Sequence, residues 1–325
     1  MTYFNKHIAA AISATIWLNI APVFAEDLMT VRFIDVGDAT CALANTPNGQ
    51  MVFLSGEDKG DHCLNSAKTA FAGNVSIDLL LLGDLNETTV LSTMRFLNTY
   101  SVKTLVHSGK NRHFAKHVKA HKGIVDFDFS KKVKTAYPEF PVGDATLTLT
   151  LTDSAEKEKG NFAASLSYGN VHILLLSGSD KFSTSKLDVS CAEAKVEFGE
   201  DHAALLDADI ILVPSNDTAS SLSTCLIETI SPYFVVFSAG HGAGKPLTTV
   251  VNRFLGAGVK HRNILRTDRG DNEGGDEWSN DFTLPTCSDG TGDDSIIATI
   301  TKSGEIKVAY EKPFSKCGEL DDEQS

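Results

Sequence analysis

Beyond its first 25 residues the chain has no apolar run approaching the ~18 residues needed to cross a bilayer, which argues against a multi-span membrane protein. Positive charge is also scarce. Lys and Arg number 29 against 42 Asp and Glu, for a formal charge of −13. A chain of that sign repels phosphate backbones, so nucleic acid is disfavoured as a partner unless a local basic patch exists. No CxxC pair and no Cys/His cluster with zinc-finger spacing occurs among the six cysteines.

What is present at the start is a short leader. Lys6 precedes a mostly apolar stretch from Ile8 to Ile20, and Val23-Phe24-Ala25 places small residues where an export signal is cut. We therefore expect residues 1–25 to be a signal peptide and 26–325 to form the mature protein, with no membrane span after cleavage and a secreted or periplasmic location. Losing Lys6 and no acid moves the charge from −13 to −14. Export makes disulfides the default for Cys41, Cys63, Cys191, Cys225, Cys287 and Cys317. Of the pairings open to them, Cys287–Cys317 is favoured because the two bracket an expected hairpin.

The periodicity alternates between strand and helix. "MTVRFIDVG" (29–37) and the two halves of "TCALANTPNGQMVFLSG" (40–56) read as an antiparallel meander turning at Pro47-Asn48-Gly49. "IDLLLLG" (77–83) is apolar almost throughout, as a strand covered on both faces must be. Helical spacing follows in "TVLSTMRFLNTY", then a strand at "VKTLVHSG" (102–109), making a β-α-β unit. Strands are expected again at 145–153, 162–170, 171–178, 208–215, 233–240 and 263–268, with helices at "EDHAALLD", "STCLIETISP" and "PLTTVVNRFLGAG" between the later ones. "SIIATITKSGEIKVAYE" closes the series as a hairpin. Two sheets sandwiched between helices in one domain fit this order.

In "HFAKHVKAHKG" His113, His117 and His121 recur every fourth residue among Arg112, Lys116, Lys119 and Lys122, which predicts a solvated basic helical face. "AGHGAGKPL" has the flavour of a phosphate-binding loop, but Ala239 stands for its first glycine and Pro246 for the hydroxyl residue that would hold magnesium.

Several phrases, in order, resemble the metallo-β-lactamase-fold hydrolase domain of ComEC-type competence proteins. "FIDVGDATCALANTPNGQMVFLSGE" (33–57) is similar to that family's opening strand, turn and strand. "VPSNDTASS" stands where the family has a histidine-bearing "VPHHGS" phrase, "FSAGHGAGKP" where it has a glycine-rich "GHP" phrase, and "ILRTDRGD" where it has "RTD". The resemblance implies an αββα four-layer sandwich and, for the family, a dizinc hydrolase acting on phosphodiesters.

At the places the resemblance assigns to metal ligands, this sequence carries other residues. Asp84, Asn86, Thr88 and Thr89 occupy the H-x-H-x-D-H stretch, with Ser179, Ser215, Asn216 and Lys245 at the remaining positions. Amides and hydroxyls are poor ligands for zinc, and an ammonium repels it. We therefore expect no zinc cofactor, and a catalytically inactive protein that engages an unknown ligand or partner protein. The alternative is a rebuilt metal site drawing on Glu87, Asp180, Asp217 and His241, serving a phosphodiesterase-like hydrolase. An ion pair between Lys245 and Asp84 is expected to replace the metal.

Overall fold

The computed structural model describes residues 27–56, 58–71, 76–109, 111–128, 138–151, 162–177, 206–214, 222–239, 244–270, 275–278 and 290–312. Two mixed sheets stack face to face. The first contains β1 (Leu28–Ile34), β2 (Thr40–Thr46), β3 (Gly49–Ser55), β4 (Ser76–Leu82), β5 (Ser101–His107), β6 (Val125–Asp128), β14 (Ile296–Thr301) and β15 (Ile306–Tyr310), in the order 15-14-1-2-3-4-5-6. The second runs 13-12-11-10-9-8-7. Its strands are β7 (Glu139–Val142), β8 (Ala145–Leu151), β9 (Phe162–Tyr168), β10 (Val171–Leu176), β11 (Ile210–Val213), β12 (Phe234–Phe237) and β13 (Ile264–Arg266).

Alternation along each strand sorts the side chains into layers. Met29, Val31 and Phe33 of β1 point between the sheets and meet Leu147, Leu166 and Ile173 from the other side, whereas Ile34 belongs to the outer layer. The outer face of the first sheet is covered by α1 (His62–Ala70), α2 (Glu87–Thr99) and α3 (Arg112–Ala120), which contribute Leu64, Ala67, Phe96, Leu97, Phe114 and Val118. The second sheet is covered by α4 (Thr224–Ile230) and α5 (Thr248–Gly256), through Leu226, Ile227, Val250, Val251 and Phe254. Helix, sheet, sheet and helix make the expected αββα four-layer sandwich.

Helix starts follow local chemistry. The side chains of Asn86, Asn111 and Ser223 accept hydrogen bonds from the first-turn amides of α2, α3 and α4, the role short polar residues fill at N-caps. The expected basic face on α3 is present: Phe114 and Val118 are buried while Arg112, His113, Lys116 and Lys119 are exposed. Helix α1 and strands β6 and β7 were not legible from periodicity. β6 and β7 have only four residues each, too brief an alternation to register, and α1 buries only Cys63, Leu64 and Ala67.

The β2–β3 and β7–β8 hairpins meet at one edge of the sandwich. Thr46 Oγ1 donates to the carbonyls of Gly49 (3.0 Å) and Val142 (3.1 Å), and Asn48 Nδ2 donates to Asp144 Oδ1 at 2.8 Å. Gly143, at φ +56°, lies so close to the Gly49 backbone that a Cβ on either would overlap it.

Cys41 of β2 and Cys63 of α1 form a disulfide that ties the first sheet to its helix layer. Cys225 is also disulfide-bonded, and there is no free cysteine among the described residues. The Cys287–Cys317 pairing lies outside the described residues. Residues 1–25 do too, and among the described residues no helix is long and apolar enough to cross a membrane. The Cys41–Cys63 bridge closes a loop with a sequence separation of 22. Replacing both cysteines by alanine is expected to lower unfolding stability by about 2–5 kcal/mol, measured by denaturant titration under oxidising conditions.

Candidate functional site

Strands β3, β4, β5 and β6 are mutually parallel, as are β10, β11, β12 and β13. Their carboxyl ends therefore gather on one edge of each sheet, the position at which open α/β sheets present loops to ligands. Ser238 Oγ, just past β12, donates to the carbonyl of Ala39 between β1 and β2 at 2.9 Å, so the two edges face the same way.

The loop after β4 is organised by Asp84. Its Oδ2 accepts from Ser55 Oγ at the end of β3 (2.9 Å). Its Oδ1 accepts from Thr89 Oγ1 (2.5 Å) and from the Asn86 amide (3.1 Å). Asn86 Oδ1 in turn accepts from Thr88 Oγ1 (2.6 Å) and the Thr89 amide (2.8 Å) as the cap of α2. Thr89, fully buried, also accepts the Gly56 amide at 2.7 Å. A carboxylate, an amide and two hydroxyls thus satisfy one another and knit the ends of β3 and β4 to α2. Glu87, by contrast, is exposed.

Lys245 sits before α5, in a cis peptide with Pro246. The expected ion pair between Lys245 and Asp84 is not formed. Asp84 directs both oxygens to the three donors above, and among the described residues no ion pair joins the two. The expectation failed because hydroxyl and amide donors within five residues of Asp84, together with Ser55, reach its carboxylate without the cost of desolvating an ammonium. Of the other positions singled out from the sequence, Ser179, Asp180, Ser215, Asn216, Asp217 and His241 lie outside the described residues.

The backbone of Lys245 is held by a different charge. Arg266, at the end of β13 and only 1% exposed, donates from Nη2 to the Lys245 carbonyl (3.0 Å) and from Nη1 to the Trp278 carbonyl (2.6 Å). Its Nε and Nη2 grip Asp268 in a bidentate pair (2.5 and 2.7 Å), and Nη2 also contacts Glu277. Burial by itself would lower the guanidinium's proton affinity, but the hydrogen bonds and charges of Asp268, then Glu277, outweigh it and drive its pKa above the usual arginine value. Tyr310 packs beside this cluster, its hydroxyl donating to the Arg266 carbonyl at 3.2 Å, and burial raises the phenol's pKa. Periodicity gave no hint of this network. Its one sequence signal is an arginine inside the apolar strand "NILRTD", since a buried charge requires partners.

Asp58 is a further buried acid that sequence reasoning missed. Only 4% exposed, it accepts the Cys63 amide at 2.6 Å through Oδ2, and Arg95 of α2 donates to its carbonyl at 2.7 Å. Its other oxygen has no hydrogen-bond partner among the described residues, and burial raises its pKa above 3.8 despite the amides of Cys63 and His62.

Among the described residues no three His, Cys, Asp or Glu side chains converge in a way that could hold a metal ion. No protein-family model matches the chain, and no curated protein does. Among solved structures the chain is similar to the metallo-β-lactamase fold protein YhfI from Bacillus subtilis, at 10% identity over 74% of this chain and 96% of that one, with a TM-score of 0.45. It is similar to Igni18, a metallo hydrolase from Ignicoccus hospitalis, at 12% identity over 64% and 82%, TM-score 0.37. It is also similar to a metallo-β-lactamase from Cronobacter sakazakii, at 13% identity over 55% and 72%, TM-score 0.33.

Removing the central cation should be costly. Arg266→Met is expected to destabilise the chain by about 3–5 kcal/mol in urea unfolding, because it removes the cation that two buried carboxylates face. Asp58 behaves oppositely. With its folded pKa raised, ionisation costs stability at neutral pH, and that cost disappears as pH falls through the folded value towards 3.8. Asp58→Asn, whose amide oxygen can still accept from Cys63, should raise the unfolding midpoint at pH 7 and make no difference below pH 3.8.

Proposed function

We propose that this chain is an exported, ComEC-like member of the metallo-β-lactamase-fold proteins that has given up dizinc hydrolysis and acts by binding a ligand or partner protein. The observation that carries the reading is the closed hydrogen-bond network of Asp84, Asn86, Thr88 and Thr89. In the resemblance these positions belong to a metal-binding turn, yet here their donors and acceptors are spent on one another and on capping α2. Two zinc ions about 3.5–4 Å apart would need imidazoles and carboxylates with lone pairs free for the metal. Asp84 accepts three hydrogen bonds and Glu87, the other carboxylate of this stretch, is exposed, so the described residues do not fit such a centre.

Export is supported by the leader-like residues 1–25 and by the Cys41–Cys63 disulfide, which persists in oxidising compartments. The acidic charge of −13 argues for a partner other than nucleic acid.

Elemental analysis tests the reading on protein purified without chelator. The expected result is well below about 0.1 transition-metal ion per chain and no hydrolysis of bis-p-nitrophenyl phosphate, because the ligand set is lacking. About one ion per chain, with phosphodiesterase activity abolished by EDTA and by His241→Ala, would establish the rebuilt hydrolase site instead.

A further inference from the structure

A polar cavity of about 350 Å³ lies on the outer face of the first sheet, between α1 and the ends of β1 and β15. It shares no residue with the Asp84 loop or the Arg266 cluster. Arg32 of β1 and Glu311 just after β15 line it, joined by a single bond from Nε to Oε1 at 2.6 Å. That side-on contact leaves both Nη groups of Arg32 and the second oxygen of Glu311 without a protein hydrogen-bond partner among the described residues. The half-exposed side chains keep their charges solvated, at 24% and 33% exposure.

The third wall is a histidine held in place by absent side chains. A Cβ on Gly60 or on Gly292 would overlap the His62 imidazole, so the ring is wedged between two glycines, one of them at φ +106°. Gly292 is itself anchored by its amide, which donates to the buried Asp35 carboxylate. The His62 ring makes no hydrogen bond to the protein among the described residues. Asn65 and Ser66, on the next turn of α1, complete the rim.

We propose that this cavity binds a small zwitterion of the α-amino-acid class. A free guanidinium edge recognises a carboxylate through two parallel bonds, a geometry a lysine cannot reproduce. The adjacent Glu311 oxygen accepts from an ammonium. Because Arg32 and Glu311 are already in contact, their unused faces present opposite charges at the short spacing that separates the two charged groups of an α-amino acid. His62, Asn65 and Ser66 then offer hydrogen-bonding groups to the side chain. The cavity volume lies at the small end of ligand sites, about 300–1,000 Å³, which suits a molecule of this size.

The test is two-dimensional ¹H–¹⁵N NMR of the oxidised, signal-free chain titrated separately with L-glutamine, with glutaramate (the same molecule lacking its amine) and with inorganic phosphate. L-Glutamine is expected to shift the amides of Asn65, Ser66 and Gly292 saturably, with a Kd between about 10 µM and 10 mM. Glutaramate should bind at least about fivefold more weakly, since it offers Glu311 no donor. Arg32→Lys keeps the charge but loses the planar fork, and should weaken L-glutamine at least about tenfold without altering the unfolding midpoint. The proposal is overturned if L-glutamine produces no saturable shift, if Arg32→Lys binds it as the parent does, if glutaramate binds as tightly, or if phosphate alone saturates the site. Metal content and phosphodiesterase activity are measured separately, so this result does not depend on the fate of the Asp84 loop reading.

Discussion

The structure rests on one constraint: the central strands of both sheets are buried on both faces. Strands such as β4 and β11 expose almost nothing, so each must find an apolar partner inside and outside the sandwich. Inside, the partner is the opposing sheet, and outside, it is a helix layer. Once those layers are fixed, the parallel strands deliver their carboxyl ends to a common edge, and the loops there are spared from packing and available for chemistry. The opposite edge is closed by hairpins packed glycine against glycine.

At the open edge, two clusters obey the rule that buried donors and acceptors are paired. Asp84, Asn86 and Thr89 do this among themselves, and Arg266 does it by drawing Asp268, Glu277 and two backbone carbonyls around one cation. The two clusters differ in kind. The first is a capping network made of neutral groups and one carboxylate, and it stiffens the junction of β3, β4 and α2. The second is a buried ionic knot that positions the segment carrying Lys245.

The strands were legible wherever a run was long and either alternating or wholly apolar. β1 to β5, β8 to β13 and the final hairpin all sit where such runs occur. β6 and β7 were not, because four residues are too few to tell helix from strand, and neither was α1, where only Cys63, Leu64 and Ala67 are buried. Within the candidate site, the loop from Asp84 to Thr89 was visible as a strand end running into a helix. What those side chains bond to was not visible: the Lys245–Asp84 pair expected from charge alone lost to nearer hydroxyl and amide donors. The Arg266 cluster and the Arg32–Glu311 cavity join residues 11 and 279 positions apart, separations at which spacing carries no signal.

By itself the sequence determined the layer order, since hydrophobic periodicity is a local property that each strand and helix carries in its own residues. It also determined the acidic balance and the absence of histidine from the loop after β4. Tertiary structure alone decided how the polar groups pair: that Cys41 meets Cys63, that Asp84 turns to Ser55 and Thr89, that Arg266 is enclosed by two acids, and that His62 is wedged between glycines. Hydrogen bonds and ion pairs act over a few ångströms, and only the folded chain brings such distant groups within that range.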